Sequence, residues 1–510
     1  MKSPLTRRDF LRMAAVAPLG LGFPHLLRLH ASQPTAGDRK NVLVIVFDTL
    51  SAYHLPIYGY PRPTTPNLTR LAERAIVYHK HYAASSFTTP GTASLLTGTL
   101  PWKHRAFQLN RTVAPSIVKE NIFRAFGNYH RVVYSHNPLV NTLFNQFAEN
   151  LDEYVPWSRL MLTTDEAIQT LFARDQDIAD VAWTRTAKRA EEGYAYSLFL
   201  SELYGHYVNG KIAGLQPDYP LGLPRIIGDN YFRLEDAVDW LKNEIGRFPQ
   251  PYLGYFHFMP PHGPSATHKD FFRAFARDGY QPQPKPPDVL ARKSLTEPEL
   301  QRKRIAYDEF ILYVDREFGR LFDYLEASGV LEDTWVVVTS DHGELFERGF
   351  HGHVTPMLYE AVVRVPLLIF EPGRTVRTDI KVPTSAVDLL PTLLHVSGQP
   401  AAVWTEGHVL PPYAAAADAH PIFALYAKGN EPSAPLSHAT AMIVRGGHKL
   451  TYYFGFDELG DGVERIELYD VESDPEELRN LYAARNEAGA ELLVELQKKL
   501  SEVNQPFLPA

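Results

Sequence analysis

The chain has no cysteine among its 510 residues, so disulfides, thiolate metal sites and cysteine nucleophiles are excluded. It also lacks an excess of basic charge. Lys and Arg number 51 against 59 Asp and Glu, a formal net charge of -8. Nucleic-acid binding usually leaves a basic footprint, so no nucleic-acid partner is expected. No apolar run reaches the roughly 20 residues of a membrane-spanning helix, so no membrane span is expected in the mature protein. There is no internal repeat and no heptad pattern. What remains is ordinary globular composition, 45% hydrophobic and 22% charged, at a length that suits one or two domains.

The first residues read as an address. Thr6-Arg7-Arg8-Asp9-Phe10-Leu11-Arg12 precedes a short apolar run from Met13 to Gly22. A twin arginine followed by a modest apolar stretch resembles a bacterial Tat export signal. Residues 1–31 are therefore expected to be a signal handled by the Tat machinery, with cleavage near Ala31. The mature protein is expected to be periplasmic or secreted.

The next strong feature is Asn41 to Phe47 (NVLVIVF), a continuous apolar, β-branched run. Such a run suits a strand buried on both faces of a parallel sheet. Arg131 to Tyr134, Tyr252 to Phe258, Thr334 to Thr339 and Pro366 to Phe370 are similar, and helical patterns such as Ile311 to Ser328 lie between them. The alternation predicts an α/β fold, a large, mostly parallel mixed sheet flanked by helices, over residues 38–400. A helical insertion is expected at 157–243 and a Pro-rich excursion at 265–300. From 401 to 510, strand-like pieces at Ala439 to Val444, Lys449 to Phe454 and Arg465 to Tyr469 precede an amphipathic helix, Ala488 to Val503. They predict a smaller C-terminal α+β subdomain. The aromatic residues between Gly193 and Tyr207 are expected to be core packing.

In open α/β sheets, ligands bind beyond the carboxyl ends of the strands. Four predicted strands end there in chemically capable residues: Asp48, His136-Asn137, His262 and Asp341-His342. Between the first two lies Thr88-Thr89-Pro90, a hydroxyl before proline in the form of a helix start. Two readings stand. The hydroxyls cap the helix, or one of them is a reactive group at the positive end of the helix, where backbone N–H groups bind an oxyanion.

Several ordered motifs resemble the sulfatase family of the alkaline phosphatase superfamily. The opening Asn41 to Tyr60 is one, followed by Thr65-Pro66-Asn67-Leu68. The segment ending Ala93-Ser94-Leu95-Leu96-Thr97-Gly98 is similar to the family's nucleophile motif. Ser340-Asp341-His342-Gly343-Glu344 is similar to its second metal motif. Leu358-Tyr359-Glu360, Arg364-Val365-Pro366-Leu367, Asp388-Leu389-Leu390-Pro391-Thr392-Leu393, Glu467-Leu468-Tyr469-Asp470 and Asp474-Pro475 follow in the family's order. The match runs from about residue 40 to 482, the two insertions excepted.

The resemblance implies an alkaline-phosphatase-like fold and a metal-dependent hydrolase of phosphoric or sulfuric esters. It places Asp48, Asp341 and His342, with Thr88, on one divalent metal. Imidazole among oxygen ligands favours zinc or manganese, with calcium as the remaining option. Thr88 falls on the nucleophile, His262 on the acid that protonates the leaving group, and His353, with His351 beside it, on the transferred group. The departures matter as much. Sulfatases convert a cysteine or serine at the nucleophile position to formylglycine, and threonine cannot give that aldehyde. The family arginine falls on Thr92, Thr49 stands where many sulfatases have a second aspartate ligand, and the lysine strand end is replaced near Ser135-His136-Asn137-Pro138. A second metal would want an aspartate where Phe258 stands. The expected reaction is therefore hydrolysis of a phosphate ester, a diester or phosphonate, by Thr88. The alternatives are a sulfatase acting without formylglycine, a phospho-headgroup transferase, or an inactive metal-binding homologue. The substrate is expected to be a small-molecule, glycan or lipid ester.

Overall fold

The computed structural model describes residues 39–162, 195–226, 230–291, 294–414, 420–482 and 487–508. The expected export signal and residues 163–194 of the expected insertion lie outside the described residues. An eight-stranded sheet forms the centre. Its order is β11 (Thr378–Ile380), β2 (Ile76–Tyr78), β10 (Leu367–Phe370), β7 (Thr334–Thr339), β1 (Asn41–Phe47), β6 (Tyr252–Phe258), β4 (His130–Ser135) and β5 (Glu153–Tyr154). β1 runs parallel to both its neighbours, and β4 is parallel to β6 and β5. β10 runs antiparallel to β7 and β2. The sheet is thus mixed and mostly parallel, as expected, with its buried strands where the apolar runs lie. Two small pairs lie outside this sheet, β3 (His81–Tyr82) with β12 (Thr384–Ser385) and β8 (Leu345–Glu347) with β9 (Phe350–Gly352).

All seven residues of β1 are buried, because helices cover both faces. Leu43, Ile45 and Phe47 pack with the helices Leu234–Glu244 and Glu297–Ala327. Val42, Val44 and Val46 pack on the other side with Thr88–Thr97, Pro138–Gln146 and Leu389–Val396. A strand with two covered faces gains from apolar residues at every position, which explains a continuous run where a half-buried strand would alternate.

Three local outcomes depart from expectation. The helix anticipated at Ile311 begins at Glu297 and runs 31 residues, started by a capping box of Thr296 and Glu299 with Pro298 in the first turn. The end of the Pro-rich excursion is therefore helical; before Glu297 its described residues form neither helix nor strand. Within the expected insertion, Leu234–Glu244 is a core helix that buries Leu234, Ala237, Val238 and Leu241. Tyr207 is 66% exposed rather than packed, and the other aromatic side chains of that stretch lie outside the described residues.

The C-terminal subdomain is a four-stranded antiparallel sheet, β13 (Ile422–Tyr426), β14 (Ala439–Arg445), β15 (His448–Phe454) and β16 (Arg465–Asp470), in sequence order. The helix Glu487–Asn504 lays Leu492, Leu496 and Leu500 against it. Buried charge ties this sheet to the main domain. Lys449, 0% exposed, reaches Glu360 Oε1 at 3.1 Å and Glu477 Oε1 at 2.8 Å. Arg465 holds Asp288 at 2.8 Å and also reaches the Tyr359 hydroxyl at 3.0 Å. The Tyr359-Glu360 motif is thus a docking point for the subdomain. Burial, opposed by Lys449 and reinforced by Glu360, pushes the Glu477 carboxyl up to about 7. Lys449→Met would leave two buried carboxylates facing each other, and removing one partner of a buried pair costs about 3–5 kcal/mol. Urea unfolding of the variant should show a loss of that size. A loss below about 1 kcal/mol, the value of an exposed pair, would refute the docking role.

Candidate active site

The site is assembled at the carboxyl edge of the central strands. β1 delivers Asp48, β7 delivers Ser340, Asp341 and His342, and β6 carries His257 and leads through Met259-Pro260-Pro261 to His262. The helix Thr88–Thr97 begins beside them. Its N-cap is Phe87, with extended backbone at φ -153°, and no side chain caps the helix. Thr88 is therefore the first helical residue, and the capping reading does not hold. Its Oγ1 instead lies 3.2 Å from His342 Nε2.

Around that contact the donors converge. Asp48 Oδ2 accepts from Asn137 Nδ2 at 2.5 Å and lies 3.4 Å from His257 Nε2. Asp48 Oδ1 is 3.6 Å from His342 Nε2. Asp341 Oδ2 lies 3.5 Å from His342 Nε2 and 3.7 Å from His257 Nε2. Thr92, at the family arginine's place, donates its hydroxyl to Asp341 Oδ2 at 3.3 Å. Gly91 permits this approach, since a Cβ there would sit 2.5 Å from the Asp341 carbonyl oxygen.

Thr49 occupies the left-handed region at φ 64°, costing a β-branched residue on the order of 1–3 kcal/mol. Its N–H donates to Asp341 Oδ1 at 3.4 Å, and its carbonyl accepts from the Tyr307 hydroxyl at 2.5 Å. Two backbone bonds thus hold the strained turn that follows Asp48.

Hydrogen bonds also choose the histidine tautomers. His342 Nδ1 donates to the Gly343 carbonyl at 2.9 Å, which leaves the Nε2 lone pair facing Thr88 and the carboxylates. His262 Nδ1 donates to the Gly263 carbonyl at 2.7 Å and likewise frees Nε2. Glu344 Oε2 holds His353 Nδ1 at 2.8 Å, and the His353 ring lies 4.6 Å from that of His342 and 4.8 Å from that of His262. His351 turns outward, stacked on Phe346 and 3.7 Å from Glu344 Oε1. It lines a cavity of about 620 Å³ together with Phe350, Tyr426, Phe456, Lys428 and Glu458. Thr355, also in its lining, accepts from the hydroxyl of Ser86, two residues before Thr88, at 2.8 Å.

Burial dominates the electrostatics. It pushes His342 down to about 3, so this imidazole is neutral at pH 7, as a metal ligand must be. Burial, reinforced by Asp48, pushes the Asp341 carboxyl up to about 7. At Asp48 burial acts upward too, but His257 beside it and the charge of His262 hold the carboxyl below its ordinary range. Burial lowers His262 despite Asp48, whereas Glu344 raises His353 against its burial. Two buried carboxylates this close repel each other, a conflict that a proton on one of them or a cation between them relieves.

The residues fit a divalent metal. The ligand atoms of Asp48, His257 and Asp341 lie within 4.8 Å of one another, all three residues buried. Among the described residues, Asp48 Oδ1 and both His257 ring nitrogens have no hydrogen-bond partner. A buried polar atom left in that state is costly, and carboxylate with neutral imidazole is a metal donor set. A second His/Asp group, Asp388 with His408 and His420, differs. There both carboxylate oxygens already accept backbone N–H bonds, from His408 and Ser385 at 2.8 Å each.

Asp48, Thr88, His262, Asp341, His342 and His353, all anticipated from sequence, thus come together, and His351 stands at the edge. His136 does not join them. Its ring packs against Phe232 at 4.4 Å, while its neighbour Asn137 reaches Asp48. Sequence reasoning missed His257, whose only signal was a histidine inside an apolar strand, and the orienting roles of Glu344 and Asn137.

Comparison with known proteins agrees with this geometry. The sulfatase family model matches residues 40–182 and 183–399. A second model, described as N-sulphoglucosamine sulphohydrolase, C-terminal, matches residues 348–506. Choline-sulfatase of Rhizobium meliloti (strain 1021) is 25% identical over 474 residues, 87% of this chain and 82% of the relative. The multifunctional alkaline phosphatase superfamily protein PehA of Trinickia caryophylli is 25% identical over 416 residues, 74% of this chain and 77% of the relative. In fold, the phosphonate monoester hydrolase of Agrobacterium radiobacter superposes with a TM-score of 0.64 at 19% identity, over 91% of this chain and 96% of that one. With its family models spanning most of the chain, its ordered motifs and its strand-end donor cluster, the protein belongs to the sulfatase family of metal-dependent ester hydrolases in the alkaline phosphatase superfamily.

Proposed function

We propose that the protein hydrolyses a phosphate ester, a diester or a phosphonate monoester, with Thr88 as nucleophile. The observation that carries this reading is the Thr88 hydroxyl, free of any capping role at a helix start and 3.2 Å from His342 Nε2. Asp48, Asp341 and His342, with Thr88, would hold one divalent metal, zinc or manganese rather than calcium. Such a metal lowers the pKa of a hydroxyl and offsets charge on phosphoryl oxygens. The chain's own groups do the rest. The Thr88 oxygen, its proton given up to solvent, bonds to phosphorus as the bond to the leaving alcohol breaks; water then cleaves the threonine–phosphorus ester and a proton returns to the Thr88 oxygen. The backbone N–H groups at the helix start face the charge that builds on the equatorial oxygens. His262 Nε2 protonates the departing oxygen. His353, oriented by Glu344, binds the transferred group where the family's arginine and lysine are absent.

The cavity bounded by His351, Tyr426 and Phe456 would take the alcohol part of the substrate. Its aromatic walls, with Lys428, Glu458, His351 and His438 among the lining, suit a small polar ester or a sugar more than a long lipid. The same reading takes residues 1–31 as a Tat signal, 38–400 as the catalytic domain, and 401–510 as the subdomain that completes the cavity in a periplasmic or secreted enzyme. Among the described residues no helix is long and apolar enough to cross a membrane.

A second reading, sulfate ester hydrolysis without formylglycine, draws on sulfatase relatives such as the choline-sulfatase. Purified protein loaded with zinc, manganese or calcium, assayed on a phosphodiester, a phosphonate monoester, a phosphate monoester and an aryl sulfate, separates the two. The phosphodiester or phosphonate should give the highest kcat/KM. A dominant rate on the aryl sulfate would overturn the assignment, and no turnover of any ester with any metal would favour an inactive metal-binding homologue.

A further inference from the structure

We propose that His257 is a ligand of the metal, supplying from β6 the donor that Thr49 does not supply after β1. The proposal deepens the metal-site reading above and rests on it.

The distances carry the argument. Where a well-buried imidazole in this protein pairs with a carboxylate the atoms close up, as for His54 with Asp308 at 2.5 Å and His353 with Glu344 at 2.8 Å, whereas looser pairs such as His351 with Glu344 at 3.7 Å involve a more exposed ring. His257 does otherwise. Its Nε2 stands 3.4 Å from Asp48 and 3.7 Å from Asp341, closing on neither, although all three residues are fully buried. His342 Nε2 stands off the same two carboxylates by 3.6 and 3.5 Å. A tetrahedron with metal–ligand bonds of about 2.1 Å has edges of about 3.4 Å. The two His257 separations are close to such an edge, and its ligand atom lies within 4.8 Å of those of Asp48 and Asp341 while making no hydrogen bond of its own among the described residues.

Register explains how the side chain arrives there. Val46 of β1 pairs with His257, and Ser135 of β4 pairs with it from the other side. His257 therefore sits one residue short of the strand end, level with the approach to Asp48. Thr49, the residue after Asp48, gives the site a backbone N–H on Asp341, and its own hydroxyl has no partner among the described residues. Two imidazoles and two carboxylates favour a borderline transition metal such as zinc over calcium, which prefers six to eight oxygen ligands.

X-ray absorption on the zinc-loaded full-length protein should show scattering from two imidazoles. A single imidazole would overturn the proposal without any variant being made. In parallel, apo protein titrated with zinc against a chromophoric chelator should bind one equivalent, and His257→Gln should weaken binding by roughly 100-fold or more. His342→Ala should do the same. The visible spectrum of the cobalt-loaded wild type should change in His257→Gln, as the loss of one nitrogen donor requires. If His342→Ala loses affinity while His257→Gln keeps both affinity and spectrum, His257 is a bystander and the metal site itself survives. If wild type binds no zinc tightly, the metal-site reading fails first.

Discussion

Thr88→Ala should lower turnover of the preferred phosphate ester by roughly 10⁴-fold or more, the scale seen when a nucleophile that works as part of a unit is removed. The variant should keep its fold and its metal. Thr88 sits at the first turn of a helix that is buried on all sides, and the alanine retains the Cβ and loses only the hydroxyl and methyl. Asp48, Asp341 and His342 keep their separations without it. Thr88→Ser should hold most of the rate, because the hydroxyl that faces His342 remains. A rapidly quenched reaction with labelled phosphodiester should place the label on Thr88 in wild type and on no residue in Thr88→Ala. Full activity in Thr88→Ala, or label on a different residue such as Thr89, would remove threonine 88 from the mechanism and return it to a structural role.

Much of this site is readable in the sequence because parallel strands impose it. Apolar runs with polar residues at their ends can place those ends on one edge of one sheet, whatever their separation along the chain. That logic is enough to join Asp48 to Asp341-His342 and His262. It cannot say which of two adjacent residues turns inward, so His136-Asn137 was legible only as a pair; the packing of His136 on Phe232 settles the choice. Helix-start chemistry is blurred in the same way. A threonine before proline suits both N-cap and first turn, and only the extended backbone of Phe87 moves Thr88 one residue inward, off the cap. Strand direction is invisible to hydrophobic periodicity, hence the antiparallel β10. His257 went unread for a related reason. A strand buried on both faces does not alternate, so nothing in Tyr-Leu-Gly-Tyr-Phe-His-Phe tells which face the histidine takes. The closing partner of the subdomain, Lys449, was hidden too, since a lysine in a strand is normally a solvated one.

His262→Ala should divide substrates by their leaving groups. The histidine follows β6 through a tight turn, its N–H on the Met259 carbonyl at 2.9 Å. Its Nδ1 is spent on the Gly263 carbonyl, so only Nε2 is free, and the residue is half-buried, open enough for a substrate to reach. A group placed to protonate a departing oxygen matters in proportion to how badly that oxygen needs the proton. For an alkyl ester, whose alkoxide leaves poorly, the loss should be roughly 10²–10⁴-fold, the usual value of positioned acid catalysis. For a nitrophenyl ester, whose phenolate leaves unaided, it should be only a few-fold. The pH profile adds a sign. Burial, together with the nearby charge of His353, holds His262 below the ordinary histidine value despite Asp48. The acid form is therefore depleted as pH rises from the acidic side through that lowered value. The wild-type kcat/KM for an alkyl ester should fall on that limb, and the variant should lose the limb along with the rate. Equal losses on alkyl and nitrophenyl esters would mean that His262 only shapes the site, and His353, 4.8 Å away ring to ring, would then be the group to test as the acid.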